Sequence, residues 1–195
     1  TVHHRKLLSI IKQRIADKDI LDLIWKFLKA GVMEEGLFAR SETGVPQGGV
    51  ISPLLANVYL NEFDKWAEAK WNVSANEKRK RRYAGNGNYR LVRYADDFVV
   101  MSNDGIAGVE QAKREIRDFL KTELHLELSA EKTLLTHVND GFDFLGFHIQ
   151  RAKPEGRWVV HLRPAEKGKE RVKKRLKDLT SRNWAWMDEY SRLTT

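Results

Sequence analysis

The sequence contains no cysteine among its 195 residues. This absence excludes a disulfide framework and any thiolate metal site, and it fits a reducing intracellular compartment. The chain also lacks an apolar stretch near the roughly 20 residues that a membrane helix needs, and no signal-peptide pattern opens it. We therefore expect a soluble intracellular protein, with 42% hydrophobic residues to form a core.

Acidic residues are absent from 78–93, where seven basic residues give a charge of +7. They are sparse in 163–177, where eight basic residues face two acidic ones and give +6. Because the whole chain carries +8, these two segments hold the entire positive excess. Such blocks suit a polyanion whose counterions are released on binding, and nucleic acid is the leading candidate. For either segment alone, a solvated surface is the alternative interpretation.

Apolar residues recur at helical spacing in five segments. They predict helices over residues 7–15, 20–28, 52–66, 109–120 and 172–179. Ser52 followed by Pro53 is a favourable start for the third helix, with the serine hydroxyl as N-cap and the proline at the first helical position.

Strand patterns lie between these helices. Apolar runs at 91–94 and 98–101, separated by a turn-prone segment, predict a β-hairpin, and 142–149 with 157–162 predict a second one. Shorter strand-like pieces lie within 31–51 and near Leu126 and Leu134.

Residues 71–90 combine a basic run with the turn-forming Gly85-Asn86-Gly87-Asn88, which predicts a flexible surface insertion. The order of helices and strands along the whole chain predicts an α+β fold, in which an antiparallel sheet is covered by helices on one face. Fold class alone does not identify a chemistry.

Two adjacent carboxylates, Asp96 and Asp97, lie between the strands of the first predicted hairpin. Such like charges repel each other, and a turn alone would accept asparagine or glycine more readily. Hard divalent metals such as Mg²⁺ prefer carboxylate oxygens, and a rigid hairpin tip can present them to phosphates. The pair therefore indicates a metal site, and an ordinary solvated turn is the alternative.

Four segments resemble, in order, motifs of reverse transcriptases. Residues 43–57, TGVPQGGVISPLLAN, resemble one such motif, and Tyr94-Ala95-Asp96-Asp97 is similar to the Tyr-X-Asp-Asp motif that follows it, with the alanine usual in group II intron members. Lys132 lies where the family has its motif D lysine, and Phe144-Leu145-Gly146-Phe147 resembles the primer grip. The resemblance to group II intron-encoded reverse transcriptases, or maturases, extends from the first residues to about Lys177.

This resemblance implies an RNA-directed DNA polymerase that uses two Mg²⁺ ions, with Mn²⁺ as an alternative, and whose intact form also aids splicing of its intron RNA. Its partners would be an RNA template, a DNA primer, a deoxynucleoside triphosphate and group II intron RNA, in the bacterial cytoplasm or in an organelle. Asp96 would be the catalytic metal ligand, Asp97 its weaker partner, and Lys132 an acid beside the leaving pyrophosphate.

Three further groups of residues would contact the substrates. The template and nucleotide site would comprise Pro46, Gln47, Gly48, Gly49, Tyr94 and Ala95; the primer grip Phe144, Leu145 and Gly146; and the contacts to the nucleic-acid backbone Lys169, Lys173 and Lys177.

The resemblance also implies a domain division. Residues 1–162 would form the polymerase palm, with the basic insertion at 71–90, and residues 163–195 the start of a helical thumb. In the family a third aspartate lies just upstream of a segment similar to Thr1–Leu8, so we expect that carboxylate and the fingers to lie outside this sequence. On that expectation, the 195-residue chain alone does not extend a primer.

Two alternatives stay open. One is a degenerate palm that binds structured RNA as a splicing cofactor and performs no chemistry. The other keeps the polymerase but places it in a retron, a diversity-generating element or a defence system. The intact Asp96-Asp97 pair argues against the first, because a pure RNA binder gains nothing from negative charge beside phosphates.

Overall fold

The computed structural model describes residues 2–29 and 50–180, and the backbone of residues 32–34 and 37–39. The helices are α1 (His4–Lys12), α2 (Lys18–Lys29), α3 (Ser52–Trp71), α4 (Ala75–Tyr83), α5 (Ile106–Leu124) and α6 (Glu166–Leu179). The strands are β1 (Val32–Glu34), β2 (Leu37–Ala39), β3 (Tyr89–Tyr94), β4 (Asp97–Ser102), β5 (Phe142–Phe144), β6 (Phe147–Ala152) and β7 (Val159–Pro164).

The predicted α+β class is confirmed. In the described part of the chain the strands form three antiparallel sheets, β1-β2, β3-β4 and β5-β6-β7. The chain divides into two compact units, Thr1–Leu134 and Leu135–Thr195. The predicted division between a palm and a thumb at residues 162 and 163 stays a prediction.

Helix α3 is the centre of the first unit. Its buried side chains recur every four residues and therefore form one apolar stripe: Leu55, Tyr59, Phe63, Ala67 and Trp71. The stripe belongs to a core shared with buried residues of α1, α2 and α5 and with the inner face of the β3-β4 hairpin. The Tyr59 hydroxyl, inside this core, donates to the Leu124 carbonyl oxygen at 2.5 Å, so its burial leaves no unpaired polar group.

The start of α3 differs from the prediction. Ile51 occupies the N-cap position without a side-chain hydrogen bond to the helix, so Ser52 is the first helical residue and not the cap. Pro53 lies in the first turn, where backbone amides have no acceptor within the helix. The N–H that proline lacks therefore costs no helical hydrogen bond.

The predicted flexible insertion at 71–90 is wrong for its central part, which forms helix α4. Ser74 caps this helix by accepting a hydrogen bond from the Glu77 amide at 3.2 Å. Lysine and arginine are good helix formers, so a basic run can be helical without any buried side chain, and α4 has none. The segment is therefore an exposed basic helix.

Two strand predictions are also corrected. The residues around Leu126 and Leu134 form no strand, since hydrogen bonds there join near neighbours, such as the Thr133 amide to the Ser129 carbonyl at 3.0 Å. The run 142–149 contains a tight turn and forms two strands, β5 and β6, instead of one. With β7 they make a three-stranded meander.

A contact network joins the chain segments at the end of the β3-β4 hairpin that lies away from its turn. The Tyr89 hydroxyl donates to the Asp104 carboxylate, just after β4 ends. A Cβ added at Gly87 would lie 2.2 Å from the Asp104 Cβ, so only glycine permits this close approach. The hydrogen bond lowers the pKa of Asp104.

This network predicts a pH dependence of stability. Burial, and second the hydrogen bond to Asp104, raise the pKa of Tyr89 from 10.0 to about 12. Because the folded state holds this proton more tightly than the unfolded chain, the stabilisation is complete below pH 10 and is lost as the pH rises toward 12. We expect the free energy of unfolding of the wild type to fall more steeply between pH 10 and pH 12 than that of the Tyr89→Phe variant. Urea unfolding at each pH measures it, and parallel curves for the two proteins would contradict the assignment.

The described part of the second unit contains the meander followed by α6. Residues Phe147–Ala152 of β6 pair with Val159–Pro164 of β7 along the full length of both strands. Helix α6 buries none of its side chains, and its apolar Val172 and Leu176 are exposed. Among the described residues of both units, no helix is long and apolar enough to cross a membrane.

Candidate functional site

The aspartate pair lies at the tip of the β3-β4 hairpin. Tyr94 pairs with Asp97, which leaves Ala95 and Asp96 as a two-residue turn. Of these two only Ala95 has a positive φ, +53°, the pattern of a type II′ turn. Both carboxylates are exposed to solvent, as is Tyr94 on the outer side of β3.

Arg93 lies beneath this turn. Strand alternation places Arg93 on the same face as Tyr89 and Leu91, which pack against the core, and its side chain is only 11% exposed. Its Nε donates to one carboxylate oxygen of Asp64 at 2.8 Å, and Nη2 donates to the other. This paired contact raises the pKa of Arg93, so the guanidinium stays charged.

The remaining side of the guanidinium faces the turn. Nη1 of Arg93 donates to the Ala95 carbonyl oxygen at 2.6 Å and to the Asn57 Oδ1 at 3.0 Å. Asn57 in turn donates through Nδ2 to the Pro53 carbonyl oxygen at 3.0 Å. Arg93 thus connects the hairpin tip to two residues of helix α3, Asn57 and Asp64.

The prediction from sequence included neither Arg93 nor its partner Asp64 and so missed this network. A signal was present nonetheless. Arg93 falls on the apolar face of β3, and a charged side chain at such a position needs a partner of opposite charge.

The fit of a divalent metal to the tip is partial but chemically sound. Two carboxylates supply the oxygen ligands that Mg²⁺ prefers, and few protein ligands leave coordination positions for water and phosphate oxygens. Within the described ranges, no group of three or more His, Asp or Glu side chains is arranged to hold a metal ion. Asp96 and Asp97 alone would therefore supply only part of a coordination shell.

Lys132 lies exposed in a turn after α5. The neighbouring Thr133 holds this turn, with its hydroxyl donating to the Ser129 carbonyl oxygen at 2.7 Å. The Thr133 carbonyl accepts from Lys113 Nζ of α5 at 2.9 Å, which ties the turn to the helix. The acid role of Lys132 stays a prediction.

Most of the predicted nucleotide site falls on residues that the structure does not describe, namely Pro46, Gln47, Gly48 and Gly49. Tyr94 is 66% exposed and Ala95 is at the turn, so both are accessible at the hairpin tip. A shallow cavity lined by residues of α1, α3 and α5, among them Lys6, Trp66 and Phe119, contains none of the predicted site residues.

The predicted primer grip forms the turn between β5 and β6 in the second unit. Phe144 pairs with Phe147, and the intervening Leu145 and Gly146 have φ values of +50° and +81°, the pattern of a type I′ turn. The Gly146 carbonyl oxygen accepts from the Ala165 amide at 2.9 Å, so the turn is tied to the start of α6. Leu145 is 45% exposed, an apolar side chain presented at a strained position.

The three predicted phosphate-contacting lysines lie on α6. Lys169 pairs with Glu166 at 2.7 Å, and Lys173 pairs with Glu170 at 3.1 Å. The ion pair with Lys169 lowers the pKa of Glu166. Lys177 lies exposed in the last turn of the helix. Each paired lysine keeps free donor hydrogens on its ammonium group, so it can donate to a phosphate as well as to its glutamate.

Comparisons with known proteins identify a family and several relatives of this chain. A family model described as "Reverse transcriptase (RNA-dependent DNA polymerase)" matches residues 1–149. The chain is 40% identical over 187 residues to "Protein YkfC" of Escherichia coli (strain K12), covering 87% of the chain and 49% of that protein. It is 31% identical over 195 residues to "Group II intron-encoded protein LtrA" of Lactococcus lactis subsp. cremoris, covering 76% and 33%.

A fungal relative extends this set. The chain is 26% identical over 190 residues to "Putative COX1/OXI3 intron 2 protein" of Saccharomyces cerevisiae, covering 77% of the chain and 22% of that protein. The chain therefore spans about half the length, or less, of these three relatives.

Proposed function

The chain belongs to the reverse transcriptase (RNA-dependent DNA polymerase) family, and on that premise we propose that it is the palm and the start of the thumb of a group II intron-encoded enzyme. The protein that contains it would synthesise DNA on an RNA template and aid splicing of its intron RNA inside the cell. The observation that carries this proposal is the exposed Asp96-Asp97 pair at a turn whose Ala95 carbonyl oxygen accepts a hydrogen bond from Arg93.

In this proposal the hairpin tip is the metal site. Asp96 would be the principal ligand and Asp97 the weaker one, for Mg²⁺ or for Mn²⁺ in its place. When bound, two such ions align the primer hydroxyl with the α-phosphate and neutralise the developing charge. Lys132 would donate a proton to the leaving pyrophosphate, and the exposed Tyr94 would lie against the incoming nucleotide.

Nucleic acid would follow the basic surfaces. The primer end would contact the Phe144–Gly146 turn, and the template would contact residues 46–49. The duplex backbone would lie along Lys169, Lys173 and Lys177 of α6. Helix α4 adds a further basic surface, because Arg79, Lys80 and Arg82 are exposed and none of the α4 side chains is buried.

This surface predicts a change in the salt dependence of binding. We expect Arg79→Gln, Lys80→Gln and Arg82→Gln together to weaken binding to an RNA–DNA duplex and to reduce the slope of log affinity against log salt by up to about 3, one per lost phosphate contact. Fluorescence anisotropy with the full chain across a salt series measures both quantities.

The control removes the same charge elsewhere. It changes three exposed basic residues of α1, α2 and α5 to glutamine, namely Lys12, Lys26 and Arg117. The control triple variant should retain most of the salt slope. If the two triple variants lose slope equally, overall charge binds the duplex and α4 has no special role.

The function itself is tested with the full-length protein that contains this chain. We expect extension of a DNA primer on an RNA template with Mg²⁺ and deoxynucleoside triphosphates, and faster splicing of the intron RNA that encodes it. Faster splicing with no extension would identify a non-catalytic splicing cofactor. Extension without any effect on an intron would place the polymerase in another biological setting, such as a retron.

A further inference from the structure

We propose that Arg93 is a positioning residue that holds the Asp96-Asp97 turn in its metal-binding conformation. This inference rests on the proposed function, since it takes the turn as the metal site. The turn lies at the end of a two-stranded hairpin with both of its carboxylates in solvent. Two paired strands alone leave such a tip free to bend, so the position of the aspartates needs another determinant.

The hydrogen bonds of Arg93 fix the orientation of its guanidinium. Both oxygens of Asp64 accept from it, through Nε and Nη2, and this fork prevents rotation of the planar group. Nη1 is then held at one place, where the Ala95 carbonyl oxygen accepts at 2.6 Å. The carbonyl oxygen of the turn is thereby set relative to helix α3.

Ala95, whose carbonyl oxygen accepts this hydrogen bond, has an uncommon backbone conformation. Its φ of +53° lies in the left-handed region, which residues other than glycine, asparagine and aspartate adopt rarely. Such conformations persist where the surroundings enforce them, and they cluster at functional sites. Because Ala95 directly precedes Asp96, a change in its backbone would move both carboxylates.

Helix α3 provides a rigid base for this arrangement. Asp64 and Asn57 belong to the helix whose Phe63 and Tyr59 are buried in the core, at 1% and 0% exposure. Asn57 also donates to the Pro53 carbonyl oxygen, so its amide orientation is set by two contacts. The core thus determines where Arg93 holds the tip.

A role for Arg93 as a mere positive charge is the competing explanation, and the variant Arg93→Lys separates the two. Lysine keeps the charge but is a single point donor that cannot bind both Asp64 oxygens and the Ala95 carbonyl together. The matched control is Lys70→Gln, which removes the 2.6 Å ion pair between Lys70 of α3 and Glu115 of α5, in the same unit but away from the turn.

The experiment uses the full-length protein that contains this chain, deuterated and uniformly labelled with ¹⁵N. Backbone relaxation without metal measures the order of amides 95–97, and Mn²⁺ titration measures affinity from the paramagnetic broadening of the same amides. We expect Arg93→Lys to make the turn amides mobile and to weaken Mn²⁺ binding by roughly 10- to 100-fold, the usual effect of losing a group that orients a ligand. Lys70→Gln should match the wild type in both measurements.

The outcomes are distinguishable. Equal order and equal Mn²⁺ affinity in Arg93→Lys and the wild type would overturn the role of Arg93 and leave the proposed metal site intact. Wild-type amides that Mn²⁺ does not broaden at the turn would overturn the metal site, and this inference with it. A mobile turn with weakened binding in Arg93→Lys, but not in Lys70→Gln, supports the proposal.

Discussion

Replacing Asp96 by asparagine should reduce primer extension by the full-length protein about 1,000-fold or more. The substitution keeps the size of the side chain and removes its negative charge. The side chain therefore becomes a weak, uncharged metal ligand. Metal ions contribute several kcal/mol of charge stabilisation in such reactions, and each 1.4 kcal/mol corresponds to a factor of ten in rate. Single-nucleotide incorporation on an RNA template, measured by rapid quench, gives the rate.

Two further variants make this result specific. Asp97→Asn should lower the rate less, because we assign Asp97 the weaker ligand role. Asp118→Asn is the same chemical change on the exposed face of α5 and should leave the rate unchanged. A rate within a few fold of wild type for Asp96→Asn would show that the hairpin tip does not hold the catalytic metal.

The second large effect concerns the core beneath the site. Phe63 is 1% exposed, and its ring lies against those of Trp66, Phe98 and Phe119, with centroid separations of 5.9, 5.1 and 6.2 Å. We expect Phe63→Ala to lower the free energy of unfolding by about 3–5 kcal/mol, from lost burial and from the cavity that is left. Because a domain is stable by only about 5–15 kcal/mol, this change brings the first unit near the limit of folding.

Urea unfolding followed by circular dichroism measures this loss. Leu54→Ala on the same helix is the matched control, since Leu54 is 61% exposed, and its effect should lie within about 0.5 kcal/mol of zero. Similar losses for Phe63→Ala and Leu54→Ala would mean that the aromatic cluster is not the core of this unit.

The elements with strong periodicity were predictable from the sequence. Helix α3 repeats a buried residue every four positions, and the β3-β4 hairpin has apolar runs on both sides of a turn, so local patterns determine both. The resemblance of Tyr94–Asp97 to a polymerase motif also identified the candidate metal ligands. That assignment stays a prediction.

Local sequence patterns gave wrong predictions in two segments whose composition is compatible with more than one structure. The basic run of α4 has no apolar face, so its helical periodicity carried no signal, and the neighbouring glycines favoured a loop. The apolar run 142–149 concealed a turn, because Leu145 adopts a positive φ that its side chain disfavours. A leucine at that position does not predict a turn from sequence.

The contacts of Arg93 could not be predicted from the sequence for a different reason. Its partners Asp64 and Asn57 are 29 and 36 residues away along the chain, and no local rule pairs residues at such separations. Only the tertiary packing of α3 against β3 brings them together. The sequence could identify the aspartates at the tip but not the residues that hold them in place.

The most direct test of the central claim is the position of the metal. Crystals of the full-length protein with an RNA template, a DNA primer, a non-hydrolysable nucleotide and Mn²⁺ would locate the ions by anomalous scattering. We expect Mn²⁺ to be coordinated by a carboxylate oxygen of Asp96 and by phosphate oxygens of the nucleotide. Mn²⁺ ions bound elsewhere, with the nucleotide in place and the carboxylates of Asp96 and Asp97 in contact only with water, would contradict it.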